Sequence, residues 1–181
     1  AHVLPQIQVG KFERGLARKM PAVLPKQARA LEIGSAVGFL AGHCANIRTD
    51  IHFTLQEDDS SLRQMMQVVC RLSNRPFNDR FVLSSAKLQD LCADMLELIA
   101  AVQPTSLLLA DARLSPDILC AVFSALQQPA PVQIFLYGRL LEAWHSEIET
   151  VSTHLQTLGY QPTDSFDLNI CRGFALKDTP A

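Results

Sequence analysis

The run Ala30-Leu31-Glu32-Ile33-Gly34-Ser35-Ala36-Val37-Gly38-Phe39-Leu40-Ala41-Gly42 reads as an apolar strand ending beside an acid, a tight loop, and a helix that begins at once. Glycines at Gly34 and Gly38 let the backbone enter φ > 0 space and let a ligand approach closely. A helix N-terminus behind such a loop offers free N–H groups and a partial positive charge. Folds of alternating strands and helices hold the polar end of a nucleotide-like ligand this way. Glu57 follows the next apolar segment, roughly 20 residues further on, where an acid can accept both hydroxyl hydrogens of a ribose. In the alternative, Glu57, Asp58 and Asp59 only favour the positive end of the following helix. Asp111 ends the apolar run Leu107-Leu108-Leu109-Ala110. Burial there makes a carboxyl a tuned base or a substrate anchor, unless Arg113 neutralises it as an ion pair.

Other chemistries are excluded. The glycines are four apart, so the loop is neither GxGxxG nor the phosphate loop GxxxxGK[ST]. No GxSxG nucleophile elbow occurs, and no His, Cys, Asp and Glu set has ligand spacing, so no structural metal is expected. Five cysteines, Cys44, Cys70, Cys92, Cys120 and Cys171, are widely spaced and odd in number. That fits free thiols in a reducing compartment, and a cytoplasmic location is expected. The net charge of −2 leaves no electrostatic footprint for nucleic acid. The basic residues Lys11, Arg14, Arg18, Lys19 and Lys26 read as a solvated helix face rather than a phosphate site. No apolar run reaches the ~18 residues of a membrane span, and no signal peptide is visible. Hydrophobic residues make up 48% of 181, enough for one domain with a full core. The chain opens at Ala1, as expected of a part of a larger polypeptide; a homo-oligomer is a second expected context.

The elements that must position these residues follow from periodicity. Residues 11–20 read as a helix with Phe12, Leu16 and Met20 on one face, ended by Pro21 and Pro25. Strands are expected at Ala28–Ile33, Ile51–Gln56, Arg80–Ser84, Ser106–Ala110 and Val132–Tyr137. Helices are expected at Val37–Ile47, from Ser60 or Ser61 as cap to Leu72, at Leu88–Val102, from Pro116 behind the cap Ser115 to Leu126, and at Leu140–Leu158 before Gly159. Tyr160–Phe166 and Asn169–Leu176 close the chain as two strands joined by a turn at Asp167-Leu168. Alternating units with apolar strands imply a parallel sheet covered on both faces, and the last pair implies an antiparallel hairpin at one edge. Residues 1–27 form an N-terminal helical extension, and 28–181 one α/β domain. Ligands in such sheets bind beyond the carboxyl ends of the strands, here Gly34, Glu57, Ser84–Ala86, Asp111 and Tyr137–Gly138.

Strand, acid, Gly-x-x-x-Gly and helix resembles motif I of the class I S-adenosylmethionine (SAM) methyltransferases. Glu-Ile-Gly-Ser-Ala-Val-Gly-Phe looks most like the FkbM-type O-methyltransferases. The resemblance covers about residues 28–177 and implies a Rossmann-like, seven-stranded, mostly parallel sheet with a C-terminal antiparallel hairpin and helices on both faces. It implies SAM as cofactor, bound by Glu32, Gly34, Ser35, Gly38, Glu57 and Ser85. Glu32 would fix the loop and face the methionine end, or cap the loop without touching ligand. Glu57 would hold the ribose, with Leu62 and Asn74 standing where the FkbM pattern has its spaced leucines and Asn. Ser85, with Ala86, stands where many relatives carry an acid for the adenine amine. Phe39 and Leu62 are apolar candidates for packing near the cofactor or for core.

The resemblance makes Asp111 the candidate catalytic residue, matching the Asp of a strand ending Asp-x-Glu-Gly. Arg113 and Leu114 replace the Glu and Gly of that pattern. After the fifth strand, Tyr137-Gly138-Arg139 lacks the family's acid and histidine. Tyr137 is a candidate to bond substrate or pack in the core, and His145 a candidate base or a partly exposed helix residue. The leading reading is a SAM-dependent methyltransferase acting on an oxygen of a small molecule or glycan. The second is an inactive methyltransferase-like interaction or regulatory domain, favoured by the altered strand ends. A nucleotide binder of another Rossmann class is the third, opposed by the loop.

Overall fold

A computed structural model of the chain describes residues 14–72, 80–127, 130–144, 147–164, 166 and 171–177. In chain order the elements are α1 (Arg14–Val23), β1 (Arg29–Ile33), α2 (Phe39–Ile47), β2 (His52–Gln56), α3 (Ser60–Leu72), β3 (Phe81–Leu83), α4 (Leu91–Val102) and β4 (Ser106–Leu109). Then follow α5 (Pro116–Ala125), β5 (Gln133–Tyr137), α6 (Arg139–Trp144), α7 (Ile148–Thr157), β6 (Tyr160–Thr163) and β7 (Cys171–Leu176). Seven strands form one sheet in the order β3-β2-β1-β4-β5-β7-β6. The five strands β1 to β5 pair in parallel, and β7 runs antiparallel between β5 and β6.

The strands are apolar because both faces of the sheet are covered. On one face Ala30, Phe53, Leu55, Leu108, Phe135 and Tyr137 pack with α1, α2 and α3 through Leu16, Met20, Leu40, Cys44 and Met66. On the other, Leu31, Ile33, Leu107, Leu109, Ile134 and Leu136 pack with α4, α5, α6 and α7 through Met95, Leu119, Val122, Trp144 and Leu155. The sheet reverses direction of growth between β1 and β4, both of which pair directly with each other. Loops leaving β1 and β4 therefore diverge to opposite faces, and their shared carboxyl edge is the place for a ligand.

Several expectations are corrected. The first helix runs through Pro21 to Val23. Proline forfeits one hydrogen bond late in the helix, while Met20 and Leu24 on either side are fully buried or nearly so. Leu16, Ala17, Met20 and Leu24 of this segment pack with the core of the sheet, and Arg48 ties it down by donating to the carbonyls of Pro21, Leu24 and Pro25. Asp59, not a serine, caps α3, accepting from the amides of Ser61 and Leu62 at 2.8 and 3.1 Å. The single helix expected over 140–158 is two, α6 and α7. Trp144 donates its indole N–H to the Leu114 carbonyl at 2.9 Å, and Glu147 N turns back to the Trp144 carbonyl. Ser115 caps α5 as expected, accepting from Ile118 N with Pro116 at the first helical position. Phe12, Asn74, His145 and the turn at 167–168 lie outside the described residues.

Just beyond β1, Gly34, which has φ +77, lies against the backbone that leaves β4. A Cβ built there would lie 2.5 Å from the Asp111 amide nitrogen and 2.7 Å from its Cα. Gly38, with φ +69, would instead meet the flexible Met66 side chain at 3.1 Å. Gly34→Ala should therefore cost about 2–5 kcal/mol, the left-handed penalty plus overpacking against backbone. Gly38→Ala should cost about 1–2 kcal/mol. Urea unfolding of both variants checks the order; equal losses would contradict the packing at Gly34.

Candidate functional site

The β1–α2 loop is held from below by the end of β2. Gly34 N and Ser35 N both donate to the Gln56 carbonyl at 3.0 and 3.1 Å, and Ser35 Oγ donates to the same oxygen. Gly38 N donates to the Ser35 carbonyl at 2.8 Å, closing the turn before α2. Gly34, Ala36 and Gly38 all have positive φ. Ala36 donates its amide to Glu57 Oε2 at 2.8 Å, so the loop and the acid are one unit. The other oxygen of Glu57 accepts from Asp59 N at 2.9 Å. Glu57 is buried, and that burial raises its carboxyl above the usual range despite the two amides.

Asp58 and Asp111 are joined across the edge by Arg113. The guanidinium bonds both oxygens of Asp111, with Nη2 to Oδ2 at 2.6 Å, and reaches Asp58 Oδ2 at 2.6 Å. Asp58 also accepts from Gln56 Nε2 at 2.7 Å and from Leu88 N beyond β3. The ends of β2, β3 and β4 are thus strapped together. Burial alone would raise Asp111; the hydrogen bonds and charge of Arg113, aided by Arg139, outweigh it and hold the carboxyl below its ordinary value. The ion pair considered for Asp111 and Arg113 is therefore formed. Arg139 leaves β5 toward the same region, with Nη2 3.9 Å from Glu57 Oε2.

Glu32 sits beneath the loop. Its Oε1 accepts from the Tyr137 hydroxyl at 2.5 Å, while Oε2 is buried without a hydrogen-bond partner. Burial pushes its pKa up to about 7 against the opposing pull of Tyr137. Ser85 is exposed beyond β3, and its neighbour Ser84 accepts from Ala86 N. Phe39 and Leu62 are half-buried, and the Phe39 ring stacks on His43.

The structure brings Glu32, Gly34, Ser35, Gly38, Glu57 and Asp111 to one edge, with Ser85 at its outer end. Asp58 and Arg139 join the edge without having been site candidates from the sequence. Arg139 follows β5 after Gly138, at a strand end that the sequence does show. Asp58 carried no signal of its own inside a run of acids. Among the described residues no group of His, Cys, Asp and Glu is placed to hold a metal ion, and no helix is long and apolar enough to cross a membrane.

No family model and no curated protein matches the sequence. Solved structures do match. The precorrin-6y C5,15-methyltransferase of Geobacter metallireducens superposes with a TM-score of 0.59 at 15% identity, over 93% of this chain and 89% of that one. A TehB-like SAM-dependent methyltransferase of Corynebacterium glutamicum gives 0.55 at 12% identity, over 96% and 94%. The ribosomal protein L11 methylase of Lactobacillus delbrueckii gives 0.59 at 13% identity, over 88% and 73%. The fold is the Rossmann-like fold of the class I methyltransferases, with the strand order and C-terminal antiparallel pair expected of it.

The Glu32 shift has a testable consequence. Its carboxyl titrates at 4.5 when unperturbed and at about 7 when folded. Between these values the folded state binds more protons, so its contribution to stability is lost as pH rises from 4.5 to 7. The loss should amount to about 3 kcal/mol at ~1.4 kcal/mol per unit. Glu32→Gln keeps an acceptor for Tyr137 and removes the titration. The stability difference, variant minus wild type, should grow by that amount across the window in urea melts; parallel curves would sink the assignment.

Proposed function

We propose that the chain binds SAM at the carboxyl edge of β1 and β2 and transfers its methyl group to an oxygen of a small molecule or glycan. The observation that carries this reading is the joined unit of glycine loop and Glu57, in which Ala36 N donates to a buried carboxylate. A carboxylate has about four lone-pair sites, so the two amides on Glu57 leave room for a diol. On this reading Glu57 holds the ribose, Gly34, Ser35 and Gly38 form the cradle, Ser85 meets the adenine, and Glu32 supports the methionine end. The buried Oε2 of Glu32, which lacks a donor, suits a ligand ammonium or a water. The FkbM-type group and a cytoplasmic setting remain part of this reading.

SAM supplies an electrophilic methyl, so the protein mainly has to hold the acceptor oxygen in line with it. Asp111 is the proposed catalytic residue. Arg113 keeps it ionised and fixed in direction, which suits accepting a hydrogen bond from an acceptor hydroxyl; as the methyl–sulfur bond breaks and the methyl–oxygen bond forms, the hydroxyl proton leaves to solvent along that hydrogen bond rather than staying on Asp111. The competing reading, an inactive methyltransferase-like domain, is favoured by the same strap, because Asp58, Arg113 and Asp111 satisfy one another across the edge. Titration with SAM and its demethylated product, followed by methyl transfer to a substrate panel, separates the two. Binding without transfer to any acceptor would favour the inactive domain.

Glu57→Gln should weaken binding of the demethylated product about 10- to 150-fold, since a charged hydrogen bond is worth ~1.5–3 kcal/mol. Undiminished affinity by calorimetry in a folded variant would remove the ribose assignment. Asp111→Asn should lower turnover about 10- to 150-fold, the worth of one hydrogen bond to a charged acceptor at ~1.5–3 kcal/mol, while cofactor affinity stays nearly constant. Full transfer by that variant would take Asp111 out of the mechanism.

A further inference from the structure

Three acids at the carboxyl edge, Glu57, Asp58 and Asp111, are bonded from within. Glu57 takes the amides of Ala36 and Asp59, one on each oxygen. Both oxygens of Asp111 are bound to Arg113. Asp58 takes Gln56, Leu88 N and Arg113. Two of the cations are committed as well: Arg113 to these two aspartates, and Arg63 through Nη1 to the Glu57 carbonyl at 2.9 Å. Arg139 differs. Among the described residues its side chain makes no hydrogen bond; its one ion pair, with Glu57 Oε2, is long at 3.9 Å. The side chain is 42% exposed, and its charge is felt by both Glu57 and Asp111. It follows Gly138, whose φ of +59 turns the chain out of β5 at the edge. Arg139 is therefore an uncommitted cation at the edge with a planar fork of five donors, the geometry that matches a carboxylate or phosphate with two parallel bonds.

We infer that Arg139 is an oxyanion receptor, gripping a carboxylate or phosphate of a molecule bound at the carboxyl edge. The inference rests on the SAM reading and deepens it. SAM brings a positive sulfonium, which beside an unmatched guanidinium would be repelled; an oxyanion on Arg139 removes the conflict. That oxyanion has two sources, the cofactor's own methionyl carboxylate or an acidic group on the acceptor, and in the second case Arg139 determines specificity for acidic acceptors.

The test uses calorimetry on wild type, Arg139→Gln and Arg139→Lys. The first probes are S-adenosylhomocysteine and 5′-methylthioadenosine, which keeps the nucleoside and thioether but lacks the amino-acid carboxylate. The second are matched acceptors measured with the cofactor product present: a hydroxybenzoate against its amide, and a sugar phosphate against the free sugar. Arg139→Gln should weaken a charged probe about 10- to 150-fold and leave its uncharged counterpart unmoved. Arg139→Lys should recover part of the loss, because it restores charge without the fork. Loss confined to S-adenosylhomocysteine assigns the cofactor carboxylate; loss confined to a charged acceptor assigns the acceptor. Nucleoside binding with no selectivity for charge in wild type, or selectivity unchanged in Arg139→Gln, overturns the inference alone. Failure of wild type to bind either nucleoside overturns the SAM reading and this inference with it.

Discussion

Gly34 lies so close to the backbone of Asp111 that a methyl group on it would come within 2.5 Å of the Asp111 amide nitrogen. Every other feature of the edge depends on this approach. It lets β1 and β4 run together to their ends and then send their chains to opposite faces, which opens the edge between them. It places Asp111 beside the loop rather than a side chain's width away. It also brings Arg113 within reach of Asp58, 55 residues distant in sequence. Only glycine satisfies both the positive φ and the missing volume at this point.

The three consecutive acids Glu57, Asp58 and Asp59 illustrate how position along a strand end divides labour among like residues. Glu57 turns back to the β1 loop, Asp58 turns outward to the β3 loop and Arg113, and Asp59 caps α3. The capping role considered for the whole run belongs to Asp59. The cap frees the first two acids from serving the helix, and the Gln56 carbonyl, shared by Gly34 and Ser35, fixes the loop they face.

The sheet was legible because its strands are buried on both faces and so read as unbroken apolar runs between turn residues. The glycine loop, Glu57 and Asp111 were legible because strand ends can be counted once the strands are known. The break between α6 and α7 was hidden by spacing: Leu140, Trp144, Ile148, Val151 and Leu155 continue one helical stripe through it, and all five are buried. Long-range partners were hidden for a different reason. Tyr137 meets Glu32 across 105 residues, a contact that exists only because β5 lies two strands from β1 in the sheet, with β4 between them. No local pattern encodes a hydroxyl waiting for a buried acid, and Arg139 is similar, since its meaning comes from what its neighbours have already satisfied.

The carboxylates of the edge differ in environment more than in kind. Burial in apolar surroundings raises Glu32, with the Tyr137 hydroxyl and the Ala41 amide to oppose it. Glu57 is raised by burial but steadied by two amides. Asp111 is lowered, because a guanidinium offers it more than burial takes away. Environments that separate like groups in this way set apart those that hold protons from those that hold charge. On the proposed reading the division matches the demands of methyl transfer: the group nearest the acceptor must stay charged and fixed, and the group beneath the loop can remain protonated near neutral pH without cost to that geometry. The same division also explains why the strap does not by itself decide for inactivity. An ion-paired aspartate is a weak base, but a reaction driven by an activated methyl and by alignment asks chiefly for a fixed hydrogen-bond acceptor, and Arg113 fixes it.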